Sequence, residues 1–291
     1  MLIRLGYEIA IECPQRTPLI SVLEIHPERQ HDIKRQTRVL TSPSVPSTTY
    51  VDRYGNICRR FTAPEGGVRI LYDAIVEDSG LTDEVNTLAG ETPVEKLPDE
   101  CLGYLLGSRY CETDHLSNLA WNLFGHLPPG WSRVQAIVDY VHARLSFGYG
   151  YARSTRTAAQ AHEERVGVCR DFAHLAITLC RCMNIPARYV NGYLGDIGVP
   201  QDPAPMDFSA WFEAFLDGKW YTFDARHNKP RIGRIVIARG RDATDVPLLH
   251  SFGPHALTTF RVWTYEHDES NEALRRRNMN FDRTLTAQIL G

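Results

Sequence analysis

The stretch that decides the fold runs Gly167-Val-Cys-Arg-Asp-Phe-Ala-His-Leu-Ala-Ile-Thr-Leu-Cys-Arg-Cys-Met183. From Cys169 onward its apolar residues recur every three or four positions, which predicts a helix with one buried face. Asn184 and Pro186 then end the helix. Cys169 lies in the first turn, where unpaired backbone N–H groups and the helix dipole favour a thiolate over a thiol. A buried packing cysteine is the alternative, because free cysteine is among the most buried residue types.

The length and composition are those of a globular protein. The chain has 291 residues, 43% apolar and 23% charged, enough for one large domain or two modest ones. A formal net charge of −3 gives no reason to expect nucleic acid or a membrane surface as partner. We see no signal peptide and no run long enough to cross a bilayer. Seven scattered cysteines do not suggest a disulfide framework, so a reducing cytoplasm is the predicted location.

Four segments are predicted along the chain. Residues 1–85 contain short β-rich runs separated by turn residues, which is typical of an antiparallel sandwich. Residues 86–98 form a polar linker with two prolines. Residues 99–266 begin with helical periodicity and end in strands, the last of them at 257–265. Residues 267–291 form a charged C-terminal tail.

A hairpin downstream of the cysteine brings one position close to a carboxylate. Asp217-Gly218 is a strong signal for a two-residue turn. In that register Leu216 pairs with Lys219, and position 209 lies on the same face as Asp224, one diagonal step away. A base at 209 would therefore be oriented by Asp224, as a cysteine nucleophile requires. The residue at 209 is serine, whose hydroxyl is not basic near neutral pH.

Four motifs in this region are Gly167-Val-Cys-Arg-Asp-Phe-Ala-His-Leu, Ile185-Pro-Ala-Arg-Tyr-Val-Asn-Gly-Tyr, Asp207-Phe-Ser-Ala-Trp-Phe-Glu-Ala and Trp220-Tyr-Thr-Phe-Asp224. Together they resemble the core of the transglutaminase-like superfamily. Residues 230–246 are similar to bacterial members that carry a β-rich N-terminal domain. The resemblance implies an α+β fold. In this papain-like transglutaminase core, the cysteine-bearing helix packs on an antiparallel sheet, and an N-terminal β-sandwich-like domain precedes it.

The resemblance also implies a chemistry, which is acyl transfer from an amide of a peptide or protein by a Cys–His–Asp triad. Peptide hydrolysis, deamidation and isopeptide formation all belong to this class. Carried over residue by residue, the nucleophile falls on Cys169 and the carboxylate on Asp224. The histidine of the family falls on Ser209, in Phe-Ser-Ala-Trp where Phe-His-Ala-Trp is usual. Loss of a triad member typically costs several powers of ten in rate.

His227 is the histidine that could replace the missing imidazole. In the hairpin register Arg226 faces Ser209, so a loop at His227 could turn its ring towards the gap, close to Asp224. A surface loop histidine is the alternative. His174 lies about 140° round the helix from the cysteine and is predicted to be bonded within the core.

Three aromatic residues are predicted to contact substrate. Tyr149 and Tyr151 lie in a glycine-rich loop, where glycine permits close approach to a ligand, although packed aromatics in a turn are the alternative. Trp211 is predicted to be a core aromatic at the cleft wall, and Glu213 a surface strand residue. We find no run of alternating Asp and Asn ligands for Ca²⁺, so no metal and no cofactor is predicted.

Two functions remain open on the sequence. The first is an active cysteine-dependent amide hydrolase or acyltransferase that uses Cys169, Asp224 and a relocated base. The second is a catalytically silent protein that binds a peptide or a partner protein in the same cleft, as Ser209 suggests. A thiol-dependent esterase is a weaker third reading. The oligomeric state is left open.

Overall fold

The computed structural model describes residues 1–268. The predicted tail, residues 267–291, therefore lies outside the described residues except for its first two. The N-terminal part is built from strands alone, apart from one short 3₁₀ turn at Pro27–Asp32. These strands are β1 (Leu2–Glu12), β2 (Thr17–Ser21), β3 (Ile33–Gln36), β4 (Leu40–Ser42), β5 (Ser47–Val51), β6 (Ile57–Ala63) and β7 (Val68–Glu77).

The rest of the described chain alternates helices with strands. Its helices are α1 (Asp99–Leu102), α2 (Thr113–Phe124), α3 (Trp131–Arg144), α4 (Ala158–Glu164) and α5 (Cys169–Cys182). Its strands are β8 (Ser146–Phe147), β9 (Val166–Gly167), β10 (Ala187–Leu194), β11 (Ser209–Leu216), β12 (Lys219–Phe223), β13 (Arg234–Gly240), β14 (Leu249–Ser251) and β15 (Ala256–Glu266).

Two antiparallel sheets form the predicted sandwich. One has the order β15–β1–β7–β3, with β4 also on β7, and the other has the order β14–β2–β6–β5. Strands β14 and β15 thus return to the N-terminal sheets, with Gly6 of β1 opposite Trp263 of β15. The predicted core segment 99–266 included both strands, which is corrected here. An alternating pattern predicts a strand, but it does not say which sheet the strand joins.

The second half of the chain forms a sheet of four antiparallel strands in the order β12–β11–β10–β13. Helix α5 packs on its central strands β10 and β11. The turn between β11 and β12 has positive φ at Asp217 (49°) and Gly218 (77°), as a tight hairpin turn requires. Leu216 lies opposite Lys219, and Phe212 opposite Phe223. The predicted hairpin register is confirmed.

The first turn of α5 is fixed by a buried carboxylate. An oxygen of Asp171 accepts the backbone N–H of Val168 at 2.9 Å and a guanidinium N–H of Arg156 at 3.1 Å. These bonds satisfy one of the free N–H groups at the helix start. Asn184, with φ of 61°, and Pro186 follow the helix and end it as predicted. Cys169 is therefore held at a well-defined helix start.

The sandwich and the second sheet are joined by a buried ion network around Glu213. Its carboxylate accepts from Arg188 at 2.6 Å and from Arg239 at 3.0 Å. Arg239 also reaches Glu28 of the sandwich at 2.7 Å. The prediction of Glu213 as a surface residue was wrong, because the outer face of β11 is covered by the sandwich. The hydrophobic cluster is likewise continuous from Ile3 to the residues of α5.

Candidate active site

Cys169 is the first residue of α5, the helix that packs on β10 and β11. Burial raises the pKa of the Cys169 thiol to about 11, because it outweighs the opposing effects of Arg226 and the Ala210 N–H, and the carboxylate of Asp207 adds to the rise. The thiol is therefore protonated near neutral pH. The thiolate expected from the helix dipole is not favoured in this environment.

Asp224 follows β12 and is held by four donors. One oxygen accepts from His227 Nδ1 at 2.8 Å and from Arg234 Nη2 at 2.9 Å. The other oxygen accepts the backbone N–H groups of Arg226 at 3.0 Å and His227 at 3.1 Å. Burial by itself would raise the pKa of this carboxyl, but Arg234 and His227 hold it well below its usual range. Asp224 is thus an ionised carboxylate in a buried position.

The Asp224 carboxylate decides the tautomer of His227. Because an ionised carboxylate only accepts, Nδ1 of His227 donates to it, and in the neutral ring Nε2 is the nitrogen with the lone pair. The His227 side chain is 20% exposed and lines a cleft of about 80 Å³. Among residues 1–268 no hydrogen bond joins His227 to Cys169. The structure therefore pairs His227 with Asp224, but the Cys169 thiol is not bonded to His227.

Ser209 is the first residue of β11 and lines the same cleft as His227. It lies opposite Gly192 of β10. Its hydroxyl oxygen is buried and has no hydrogen-bond partner among the residues that the structure describes. The hydroxyl therefore does not reach Asp224, whose side-chain oxygens are engaged by His227, Arg234 and backbone N–H groups.

Comparison with known proteins identifies the family of the chain. The sequence profile described as the transglutaminase-like superfamily matches residues 118–225. The crystal structure of a "Putative Cysteine Protease" from Cytophaga hutchinsonii is 31% identical, with a TM-score of 0.80 over 92% of this chain and 91% of that chain. The chain belongs to the transglutaminase-like superfamily.

Relatives within this superfamily include mycobacterial proteins. An uncharacterized protein of Mycobacterium leprae is 26% identical over 219 residues, which are 72% of this chain and 77% of that protein. An uncharacterized protein of Mycobacterium tuberculosis is 26% identical over 240 residues, which are 76% of each chain. The recognition of a transglutaminase-like, cysteine protease-like fold from the sequence is confirmed.

Of the three aromatic residues predicted to contact substrate, one lies in the cleft. Tyr149 lines it. Tyr151 lies outside its lining, and its ring packs over Gly148. Trp211 is 1% exposed, as expected for a core aromatic, and the guanidinium carbon of Arg234 lies 4.9 Å from its ring centre. Contact of these three residues with substrate stays a prediction.

The other histidines near α5 have structural partners. His174 is fully buried, and its Nε2 accepts the backbone N–H of Ala243 at 3.1 Å. It is the core histidine that its helical position predicted. His162 is hydrogen-bonded to the hydroxyl of Tyr140 at 2.7 Å. His227 is therefore the histidine that lines the cleft beside Ser209.

Two arginines of the site are absent from the sequence-based predictions of site residues. Arg234, in β13, donates to Asp224, and Arg226 lines the cleft together with Tyr149 and His227. The hairpin register did signal Arg226, since it placed that residue opposite Ser209. Nothing in a single sequence signals Arg234, because its contact with Asp224 depends on how β13 joins the sheet.

Within residues 1–268, no group of three or more His, Cys, Asp or Glu side chains is arranged to hold a metal ion. In the same residues, no helix has both the length and the apolar character that a membrane crossing needs.

Proposed function

We propose that this chain is a transglutaminase-like cysteine enzyme that acts on amide bonds of peptides or proteins. Cys169 is the nucleophile, His227 is the base in place of the histidine missing at position 209, and Asp224 orients His227. The observation that carries this proposal is the 2.8 Å pair of His227 Nδ1 with Asp224 in the cleft that Ser209 lines. The free cysteines of the described chain are in keeping with a cytoplasmic location as part of the same proposal.

The proposed reaction starts from a neutral thiol. The ring of His227 first turns to bring Nε2 to the thiol, since catalytic hydrogen bonds are often incomplete without substrate. Nε2 takes the thiol proton while the sulfur of Cys169 attacks the amide carbon, and Asp224 stabilises the imidazolium that forms. Backbone N–H groups at the start of α5 stabilise the oxyanion. The imidazolium then protonates the leaving amine, and a thioester remains.

The thioester is resolved by water or by an amine. Water gives hydrolysis or deamidation, and a primary amine gives an isopeptide bond. Because the pKa of the Cys169 thiol is raised to about 11, proton transfer to a neutral imidazole is uphill. We therefore expect slow turnover. The proton that Nε2 takes is the one that reaches the leaving amine, so turnover should be lost above pH 11, where the thiol has already given this proton to solvent.

Mass spectrometry of peptide products tests this proposal. The full chain is incubated at pH 9 with acetylated, amidated peptides that contain glutamine, with and without hydroxylamine as an amine acceptor. The proposal predicts products from the natural chain and none from Cys169→Ala. If the two proteins leave the peptides equally unchanged, or form the same products, the proposed activity is wrong.

A second function is favoured by two observations, the raised pKa of the Cys169 thiol and the serine at position 209. Both are expected of a site that binds a peptide without turning it over. In that case the natural chain and Cys169→Ala bind a peptide equally and neither releases product. Ser209→His alone would then gain amidase activity.

A further inference from the structure

Arg226 carries a positive charge in the cleft without a paired carboxylate. Its guanidinium carbon lies 3.7 Å from the ring centre of Phe147. No ion pair joins Arg226 to a carboxylate among residues 1–268. Arg234 in the same region is different, because it is paired with both Asp83 and Asp224. Arg226 thus keeps donors that the folded chain does not use.

The guanidinium of Arg226 is also held in position before any ligand arrives. The contact with the Phe147 ring holds its guanidinium, and its backbone N–H is bonded to Asp224 at 3.0 Å. Tyr149 lines the same cleft as Arg226. A side chain ordered in this way loses little further freedom when it binds a ligand. The position is therefore prepared for a planar anionic group.

The carboxylates of the same cleft are engaged by their own loop. Asp207 accepts the backbone N–H of Phe208 at 2.6 Å; burial raises its pKa, although this N–H and the nearby charge of Arg226 oppose the rise. Asp202 accepts the backbone N–H of Ala204 at 2.9 Å. Asp196 accepts the backbone N–H of Asp202 at 2.9 Å. These bonds hold the loop, and within residues 1–268 none of these three carboxylates forms an ion pair with Arg226.

We infer that the cleft takes substrates with a carboxylate next to the reacting amide, and that Arg226 binds this carboxylate. The inference rests on the proposed function, because it names the substrate class of the same site. Arg226 lines the same cleft as Ser209 and His227, and the proposed function makes His227 the base of Cys169. An amide brought to Cys169 would thus have its neighbouring side chain within reach of the guanidinium. The carboxylate comes from an acidic side chain or from the chain terminus of the peptide, and the two sources share this chemistry.

Peptide binding to full-length Cys169→Ala, which cannot consume its ligand, tests the inference. Four fluorescent peptides are compared: Ala-Glu-Gln-Glu-Ala-amide, the same peptide with Gln for both Glu, the same with Lys for both Glu, and Ala-Gln-Gln with a free C-terminal carboxylate. We expect at least one of the two carboxylate peptides to bind about tenfold more tightly than the neutral peptide, as a charge-assisted bond implies. Which of the two binds more tightly distinguishes a side chain from a terminus.

The arginine variants connect the preference to Arg226. Arg226→Gln in the Cys169→Ala chain should abolish the preference for the carboxylate peptide, and Arg226→Lys should retain part of it. Arg35→Gln, an exposed residue of the sandwich, changes the net charge equally and should leave the preference intact. Equal binding of the acidic and neutral peptides, tighter binding of the lysine peptide, or an unchanged preference in a folded Arg226→Gln chain would overturn the inference. Turnover is not measured in this experiment, so absence of amidase activity in the natural chain would count against the proposed function alone.

Discussion

Replacing Ser209 with histidine should make Cys169 more reactive. Burial raises the pKa of Cys169 to about 11, so about one molecule in a thousand carries a thiolate at pH 8. An imidazolium next to the sulfur that returned the pKa to its ordinary value of 9.0 would increase the thiolate fraction about a hundredfold. A thiolate of lower pKa is also a weaker nucleophile, and a fall of two units in the thiol pKa reduces its intrinsic reactivity about tenfold. We therefore expect Ser209→His to be alkylated about tenfold faster.

The assay is the rate of iodoacetamide modification of Cys169 at pH 8, followed by mass spectrometry of the peptide that contains it. Ser209→Asn is the matched control, because it adds similar bulk in the same buried position without a base. Cys180, which is fully buried with a raised pKa, reports any general loosening of the fold. If the natural chain is modified at Cys169 as fast as a free model thiol, or if the histidine and asparagine variants react equally, the reasoning about the thiol is refuted.

Three further predictions concern stability. His174 is buried in its neutral form, and its pKa is lowered to about 3. The free energy of unfolding should therefore fall by up to about 1.4 kcal/mol per pH unit between pH 6.5 and 3. Urea titrations should find this slope reduced in His174→Asn. Gly192→Ala should lose at least about 2 kcal/mol in urea unfolding, because its Cβ would lie 2.3 Å from the carbonyl oxygen of Ile235. Arg234→Met, which leaves Asp224 and Asp83 buried without their cation, should cost about 3 kcal/mol by the same measurement.

A specific result would contradict each of these predictions. An unchanged pH slope in His174→Asn would mean that another group controls acid unfolding. The slope has this sign because, as the pH falls below 6.5, His174 binds a proton in the unfolded chain but not in the folded chain. The stability is therefore present above pH 6.5 and is lost as the pH falls. If Gly192→Ala or Arg234→Met has the same free energy of unfolding as the natural chain, the sheet or the Arg234–Asp224 pair tolerates rearrangement.

The parts of the site that depend on local chemistry were predictable from the sequence. The Asp217-Gly218 turn determines the register of β11 and β12, so the placement of Ser209 near Asp224 followed from two residues. His227 lies three positions after Asp224 in the same turn, so a hydrogen bond between them could be expected from the sequence of that loop.

The parts that depend on distant packing were not predictable. Burial around Cys169 raises its pKa, although the helix start alone favours the thiolate. The pairing of β15 with β1 and the contact of Arg234 with Asp224 depend on how separate segments come together. Glu213 alternates like a surface residue, and the sandwich that covers it decides its burial.

The central claim is that His227 serves Cys169 as its base, and the most direct measurement is kcat/KM of His227→Gln relative to the natural chain. The substrate is the best peptide of the glutamine panel at pH 9, and His31→Gln, a mostly exposed histidine, is the matched control. The account predicts that His227→Gln loses at least about a hundredfold in kcat/KM, as loss of a general base does, whereas His31→Gln is unchanged. Equal kcat/KM for the natural chain and His227→Gln would contradict it.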